Sequence, residues 1–312
     1  MTAQALPPGS AYCQRWQGRR GSWRHPSDGG FDARRFRVCP VPRQVAQAFV
    51  VSHHYAASMP ADRWCFGLTT DDPALAGADP LVHDGRAVVG AAVLSVPMSQ
   101  AVLSNVFPTL APYVQSLELG RLVLLDPVPA NAESWFVARV FRLAADAGIR
   151  GVVSFCDPMP RRRLVTVDGR TDVELVTPGH VGLVYQALGA AACGRSTART
   201  LTYLPSRGEV LSDRTLQKIR AQESGGDAAE QRLVRLGARA RRAGEDPRAW
   251  LRAALVDLGA ASIRHPGNYR YAWSLGPRRE RAPIALPSGP YPKPSTGRIA
   301  VPAPAQQLAI WL

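Results

Sequence analysis

Leu117-Glu118-Leu119-Gly120-Arg121-Leu122-Val123-Leu124-Leu125 is an apolar run with a charge pair set inside it. A proline-broken turn follows, Asp126-Pro127-Val128-Pro129-Ala130, then a helix start, Asn131-Ala132-Glu133-Ser134. A second apolar run comes next, Gly151-Val152-Val153-Ser154-Phe155-Cys156-Asp157-Pro158. The stretch closes with Gly179-His180-Val181-Gly182-Leu183-Val184-Tyr185-Gln186-Ala187-Leu188-Gly189. Short apolar runs bounded by Pro and Gly read as strands, and the segment between the two runs carries helical spacing. Strand, helix, strand, helix with polar residues at the strand ends is how α/β proteins assemble a small-molecule site.

Working outward, the helix is expected from about Glu133 to Ala147, with Trp135, Phe136, Val140, Phe141 and Leu143 on its apolar face. Asn131 is its expected N-cap and Gly148 its stop. Upstream, Val41 to Val51 reads as a short helix with Pro42 near its start, ending in Ser52-His53-His54-Tyr55. Trp64 to Thr69 and Ala87 to Pro97 read as strands about an Asp84-Gly85 turn, and 98–116 as a polar connection. Downstream, Val181 to Leu188 reads as a short helix and Arg199 to Leu204 as a strand. The expected order α-β-β-β-α-β-α-β makes the fold α/β or α+β.

Three regions are expected: a basic Trp- and Arg-rich arm over 1–40, a catalytic domain over 41–205, and a basic extension over 206–312. The arm carries Arg15, Trp16, Arg19, Arg20, Trp23 and Arg24, and either lies on nucleic acid or packs over the main domain. The extension contains Arg-laden helices at Leu211 to Gln222, Ala228 to Arg242 and Arg248 to Leu258. A turn, Arg264-His265-Pro266-Gly267-Asn268-Tyr269-Arg270-Tyr271, then enters a short strand, and the Pro-rich end, Pro283 to Pro304, wraps the surface.

The 312 residues carry 38 Lys and Arg against 24 Asp and Glu, a net charge of +14. The pI near 10.4 favours a polyanionic partner, nucleic acid first and an anionic membrane surface second. Five scattered cysteines without a CxxC pair argue against a disulfide framework and a structural zinc site, and suit a reducing cytoplasm. No run approaches the roughly 18 apolar residues of a membrane span, and Met1 to Ser10 has no signal-peptide core, so no membrane partner is expected.

Six segments together resemble the bacteriophage Mom proteins, which are viewed as divergent members of the GNAT acyltransferase fold. They are Ser52-His53-His54-Tyr55, Glu118-Leu119-Gly120-Arg121-Leu122, Asn131-Ala132-Glu133-Ser134, Ser154-Phe155-Cys156-Asp157-Pro158, Gly179 to Ala187 and His265 to Tyr271, in order and compactly spaced over roughly 50–275. The resemblance implies a GNAT-like twisted mixed sheet flanked by helices. It also implies a transferase that turns the N6 amine of adenine in DNA into a carbamoylmethyl-type adduct, shielding phage DNA from restriction in the bacterial host cytoplasm. A bound iron is implied by the family. His54, Asp157 and Tyr185 are the candidate ligands, although their spacing in the chain offers no support. The alternatives are an N-acyltransferase acting on an amine metabolite or protein, and a non-catalytic DNA-binding protein with a vestigial core.

Residue by residue, Arg121 sits among aliphatics and needs an answering charge, from Glu118 or an anionic ligand such as the donor. Asn131 and Ser134 open a helix whose amides can receive a phosphate or oxyanion. The loop before it, Pro127 to Ala132, lacks the glycines of the usual GNAT pyrophosphate loop, so the donor of the two-carbon unit is expected to differ from an ordinary acyl-coenzyme A, glycine-derived donors included. Asp157, at a strand's C-terminal end, is the expected general base or simply opens a turn. Tyr185 resembles the GNAT tyrosine that serves the leaving group or acyl unit, with Ala190 where an aromatic would stand; a core role is the alternative. His54 and Tyr55 are placed at the substrate mouth. On double-stranded DNA, Arg214, Lys218, Arg220, Arg239, Arg241 and Arg242 are expected on phosphates. Asn268, Tyr269, Arg270 and Tyr271 are expected beside an unstacked adenine.

Overall fold

The computed structural model describes residues 13–25, 29–77, 79–177 and 179–293. Its centre is a mixed sheet. Strand β3 (Phe36–Pro40) leads into helix α1 (Arg43–His53), then β4 (Asp62–Thr70), the short helix α2 (Pro73–Ala76), β5 (Val82–His83) and β6 (Arg86–Ser95). Helix α3 (Ala101–Ser104) precedes β7 (Ser116–Leu124), α4 (Ala132–Asp146) and β8 (Gly151–Cys156). The sheet is completed by β11 (Ala191–Arg195) and β15 (Tyr269–Ser274), in the spatial order β11-β15-β8-β7-β6-β4-β3, with β5 paired to β6.

Strands β4 and β6 end in unbroken runs of buried residues because the sheet is covered on both faces. Helix α1 buries Ala46, Phe49 and Val50. Helix α4 buries Phe136, Val137, Val140, Phe141 and Ala144, a stripe at helical spacing. Burying each large side chain of that kind contributes about 1.5–3 kcal/mol. A second apolar layer, Leu103, Val106, Phe107 and Val153, lies under the 98–116 segment, which is therefore partly core and not the polar connection expected from its sequence. The C-terminal segment crosses the same layer with Ile284 and Leu286, and the Ala285 N–H donates to the Val106 carbonyl at 2.9 Å. As far as residue 293 it has almost no regular structure; the rest of Pro283 to Pro304 lies outside the described residues.

Between β8 and β11 run a hairpin, β9 (Arg161–Val167) and β10 (Arg170–Thr177), and the short helix α5 (Leu183–Ala187). Between β11 and β15 sits a module with its own core: β12 (Arg199–Leu204), β13 (Glu209–Leu211), α6 (Asp213–Ala221), α7 (Gly226–Leu236), α8 (Pro247–Asp257) and β14 (Ala261–His265). Leu216, Ile219, Leu233, Trp250 and Leu251 pack at its centre.

Two expected boundaries change. The helices of the expected 206–312 extension belong to an insertion between β11 and β15, because β15 returns to the central sheet, pairing with β8 from Tyr269↔Cys156 to Ser274↔Gly151. The described part of the 1–40 arm is not irregular: β1 (Cys13–Gln17) and β2 (Arg20–Arg24) form a hairpin, and β3 is the sheet's edge strand. Arg15 and Trp16 of that hairpin are buried.

Candidate active site

Strands β7 and β8 are the sheet's parallel pair, and they separate. Pairing runs through Ser116↔Gly151, Leu117↔Val152 and Glu118↔Val153 and then stops. Beyond it, the Ser154 hydroxyl donates to the Leu119 carbonyl at 2.9 Å, a side chain standing in for the lost ladder bond. A cleft therefore opens at Leu119, flanked by the outer parts of both strands.

A β-bulge shapes one wall. Val93 pairs with Arg121 and Leu94 with Leu119, leaving Gly120 unpaired. A Cβ on Gly120 would collide with the Ser95 hydroxyl, so any larger residue there forces that side chain to move. Residues three apart on an unbroken strand face opposite ways; the extra residue turns Glu118 and Arg121 to one side, where each feels the other's charge. They form no ion pair: the Arg121 guanidinium donates instead to the Ser58 carbonyl at 3.1 Å, the Ser58 hydroxyl at 3.2 Å and the Gly120 carbonyl at 2.7 Å. Glu118 keeps a half-buried carboxylate with no hydrogen bond of its own among the described residues. Burial pushes its pKa up, against the lowering influence of Arg121.

The other wall comes from the end of β8 and the turn after it. Asp157 Oδ1 accepts from the Met159 N–H and from His265 Nε2, both at 2.9 Å, and Oδ2 accepts from Arg161 at 2.9 Å. His265 is buried, and its Nδ1 accepts the Gly267 N–H at 3.0 Å, which fixes the tautomer that donates from Nε2. Burial would raise the Asp157 pKa, but these donors outweigh it and hold the carboxyl below its usual range. An acid so fully engaged is a weak proton acceptor; its geometry is that of an anchor, not of the general base expected from the sequence.

Tyr185, on α5, is buried against Tyr271 and Trp273 with ring centroids 5.5 and 5.4 Å away. Burial raises its phenol well above the ordinary value, with the Ser154 side chain opposing and Cys156, Tyr55 and Glu118 adding to the rise. It stays a protonated donor. Gly182, at φ +75°, lets the chain enter α5 between these rings, since a Cβ would meet Tyr271 at 2.8 Å. His180 has an open face, yet enough protein surrounds it that burial lowers its pKa, with Asp157 opposing. Its N–H donates to the Asp157 carbonyl at 2.8 Å.

His54 and Tyr55 close the cleft from the end of α1. His54 is buried, and its pKa is lowered to about 3 by burial, with Arg121 and His180 adding. Tyr55 is exposed, with Trp16 behind it at 5.1 Å and the Arg161 guanidinium 6.0 Å from its ring. The structure thus brings His54, Tyr55, Arg121, Asp157 and Tyr185 around one cleft.

Asn131 and Ser134 stand apart from them. Asn131 has φ +70° and its side chain makes no cap, contrary to the expected N-cap; the Ser134 hydroxyl donates to the Asn131 carbonyl at 3.3 Å. The Asn131 N–H is turned to the Cys13 sulfur. Arg15 donates to the Val128 carbonyl at 2.9 Å and the Pro129 carbonyl at 2.5 Å and pairs with Glu133 in the first turn of α4. The helix start is covered by the N-terminal hairpin and is not an open anion cradle.

The expected iron ligands do not fit a metal. Asp157 already holds a histidine N–H and a guanidinium, and the His54 Nδ1 accepts the Ala56 N–H at 3.1 Å. Among the described residues no three His, Cys, Asp or Glu side chains converge on a metal-sized site.

Of the residues expected on DNA, Arg214 pairs with Glu223, Arg241 with Glu230 and Arg239 with Glu245, while Arg220 and Arg242 are exposed and Lys218 half-buried. The Arg214–Glu223 pair is exposed, and such pairs are worth about 0–1 kcal/mol and open readily for a phosphate, whereas Arg239 and Arg241 are each held by two hydrogen bonds to a largely buried carboxylate. Sequence reasoning treated Glu118 only as a charge partner, gave His265 no role and did not single out Arg161. For Arg161, the spacing Asp157-Pro158-Met159-Pro160-Arg161 was the available signal.

Compared with known families, residues 35–163 match the model described as the Mom protein family. Over that stretch the chain resembles the Mom family. The matched Mom segment holds β7, β8 and the cleft walls, Glu118, Arg121 and Asp157. Two solved structures are similar at 10% identity. One, described as "Tandem GNAT protein from the clavulanic acid biosynthesis pathway (without AcCoA)", has a TM-score of 0.36 and matches over 78% of this chain and 99% of its own. The other, a "putative phosphinothricin N-acetyltransferase", has a TM-score of 0.23 over 45% and 95%. No curated protein sequence matches. The fold is a mixed sheet with one splayed parallel pair, flanked by helices. Among the described residues no helix is long and apolar enough to cross a membrane.

Proposed function

We propose that the protein is a DNA-modifying transferase that attaches a carbamoylmethyl-type group to the N6 amine of adenine and protects phage DNA from restriction. The observation that carries this reading is the convergence of His54, Tyr55, Arg121 and Asp157, all within the segment that resembles the Mom family, with Tyr185 from beyond it on one cleft.

Adenine N6 is a poor nucleophile, so the base must be unstacked, held against an activated carbon and relieved of a proton. Tyr55, exposed and backed by Trp16, offers the ring for stacking. Glu118 takes the amine proton as the N–C bond forms, because burial makes it the more basic of the two cleft carboxylates. Tyr185 donates toward the departing group, and Arg121 offsets negative charge on the donor. Asp157 holds His265, Arg161 and the 157–180 turn in place. With the start of α4 covered, the donor's charge falls to Arg121 and not to Asn131 or Ser134. Lys218, Arg220 and Arg242, together with Arg214 once its pair opens, supply phosphate contacts.

The test is expression in bacteria, digestion of plasmid DNA to nucleosides and mass spectrometry. A modified deoxyadenosine is expected with the wild type and lost with Glu118→Gln. An unmodified adenine pool from well-expressed folded protein refutes the reading.

A further inference from the structure

Two guanidiniums reach the cleft, and they stand in different parts of it. Arg121 is held inside by Ser58 and the Gly120 carbonyl. Arg161 is at the mouth, where its guanidinium carbon lies 6.0 Å from the exposed Tyr55 ring. Arg270 is not a third: it lies on β15 opposite Phe155, with β8 between that strand and β7.

Arg161 is oriented from behind by a chain of bonds that starts in the interior. His265, 1% exposed, donates from Nε2 to Asp157 Oδ1, and Arg161 donates to Asp157 Oδ2, both at 2.9 Å. Pro158 and Pro160 restrict the backbone between the two charged residues. Gly179, at φ +70°, closes over this turn, where a Cβ would collide with the Pro158 carbonyl. The guanidinium is therefore placed before any ligand arrives.

Neutralising Asp157 does not account for so much fixing. That carboxylate already takes the Met159 and His265 N–H groups, and at 21% exposure it still meets water. Arg161 gives it one hydrogen bond and makes no other among the described residues, which leaves most of its five N–H donors free. Its side chain is 28% exposed, so those donors are within reach of a ligand at the mouth. A fixed planar fork with free N–H groups matches phosphate, whose oxygens take it in pairs. Because it is held in advance, little side-chain freedom is lost on binding.

The source of the phosphate follows from the neighbours. Tyr55 is the ring offered to the base, so the group beside that ring is the sugar and phosphate of the same nucleotide. The donor's charge is met deeper in the cleft by Arg121. We infer that Arg161 holds a backbone phosphate of the adenosine extruded onto Tyr55, with Asp157 and His265 as positioning residues behind it. The inference rests on the DNA-modification reading and deepens it, because it names the contact that keeps the nucleotide out of the duplex.

The test is fluorescence anisotropy with the full chain and a set of short duplexes. One is fully paired, and one carries a single adenine opposite an abasic position, where unstacking costs least. The others add a neutral methylphosphonate 5′ or 3′ of that adenine. With the wild type, one of the two methylphosphonates should weaken binding about tenfold or more, the loss of a charge-assisted contact. Arg161→Gln should lose a similar factor on the unmodified adenine duplex, lose nothing further from that methylphosphonate, and lose little on the paired duplex. Arg161→Lys, which keeps the charge, should recover part of the factor, separating lost contact from lost fold. A wild type that binds none of the duplexes overturns the DNA reading itself. Additive losses from Arg161→Gln and from both methylphosphonates overturn the phosphate contact alone. A loss as large on the paired duplex assigns Arg161 to the duplex backbone at large and also overturns it.

Discussion

Replacing Arg15 with Met tests how the N-terminal hairpin is held, and the surroundings of the guanidinium set the size of the effect. Its side chain is 0% exposed and that of Glu133 5%, and the two are paired. Two further bonds run to the Val128 and Pro129 carbonyls. Methionine fills most of the volume but leaves a buried carboxylate and two carbonyls without donors. Breaking one side of such a pair costs about 3–5 kcal/mol. Glu133→Met should cost a similar amount, because it strands a buried guanidinium. The double variant should cost far less than the sum, since replacing both charges with apolar groups of similar size is close to neutral. Urea unfolding at neutral pH measures all three, and the expected coupling from the double-mutant cycle is about 3 kcal/mol. If Arg15→Met loses under 1 kcal/mol, or the double variant is simply additive, the hairpin is not clamped to α4 as described. The consequence reaches the cleft, because the next residue, Trp16, backs Tyr55 and His54.

Two further predictions concern charge. Glu118→Gln should abolish modification while stabilising the fold at neutral pH. A carboxyl whose folded pKa is raised costs stability above that pKa, and the amide removes the cost; the wild-type rate should rise with pH through a value above the ordinary carboxylate range. Unfolding midpoints and a rate–pH profile check both, and a less stable Glu118→Gln protein contradicts the burial argument. His54, lowered to about 3, refuses a proton that the unfolded chain accepts below about pH 6.5. Stability therefore falls as pH drops from 6.5 toward 3, and between pH 7 and 5 His54 accounts for about 2 kcal/mol of that fall. Denaturation at the two pH values should show a smaller loss in His54→Asn, and an equal loss refutes the assignment.

The strands and helix of the opening stretch were legible because their patterns are local. Helix α4 runs Ala132–Asp146, one residue from the expected limits, since Phe136, Val140 and Phe141 repeat at helical spacing. Most of what escaped depends on partners distant in the chain. The β9–β10 hairpin was not expected although its signal is local: Leu164, Val165 and Val167 on one strand and Val173, Leu175 and Val176 on the other flank an Asp168-Gly169 turn. Tyr269 to Ser274 reads as a short strand after a turn; nothing local says that it crosses a whole inserted module to lie beside β8. Arg15 reads as one more surface cation, and only Glu133, far along the chain, makes it a buried one. In the cleft, Arg121 and Asp157 stood out as polar residues on apolar strands. The exchange of roles between Asp157 and Glu118 was not visible, because it turns on His265 and Arg161 occupying one carboxylate and nothing occupying the other.

The family match stops at 163, but the cleft does not. Tyr185 and His180 come from beyond it, and His265 from the end of β14 in the inserted module. The same module touches the cleft wall again where the Tyr203 hydroxyl accepts the Arg162 N–H at 2.9 Å. The module that carries Lys218, Arg220 and Arg242 is thus fastened to Asp157 and to the strand beginning at Arg161, not tethered loosely beside them. On the DNA reading this matters physically. A flipped adenine must arrive at the cleft within a fraction of an ångström of the reacting carbon, and phosphate contacts set that position only if they are rigidly tied to the cleft. Hydrogen bonds from His265 to Asp157 and between Tyr203 and Arg162 provide that tie. The insertion between β11 and β15 is therefore better understood as part of the cleft's frame than as an appended binding domain.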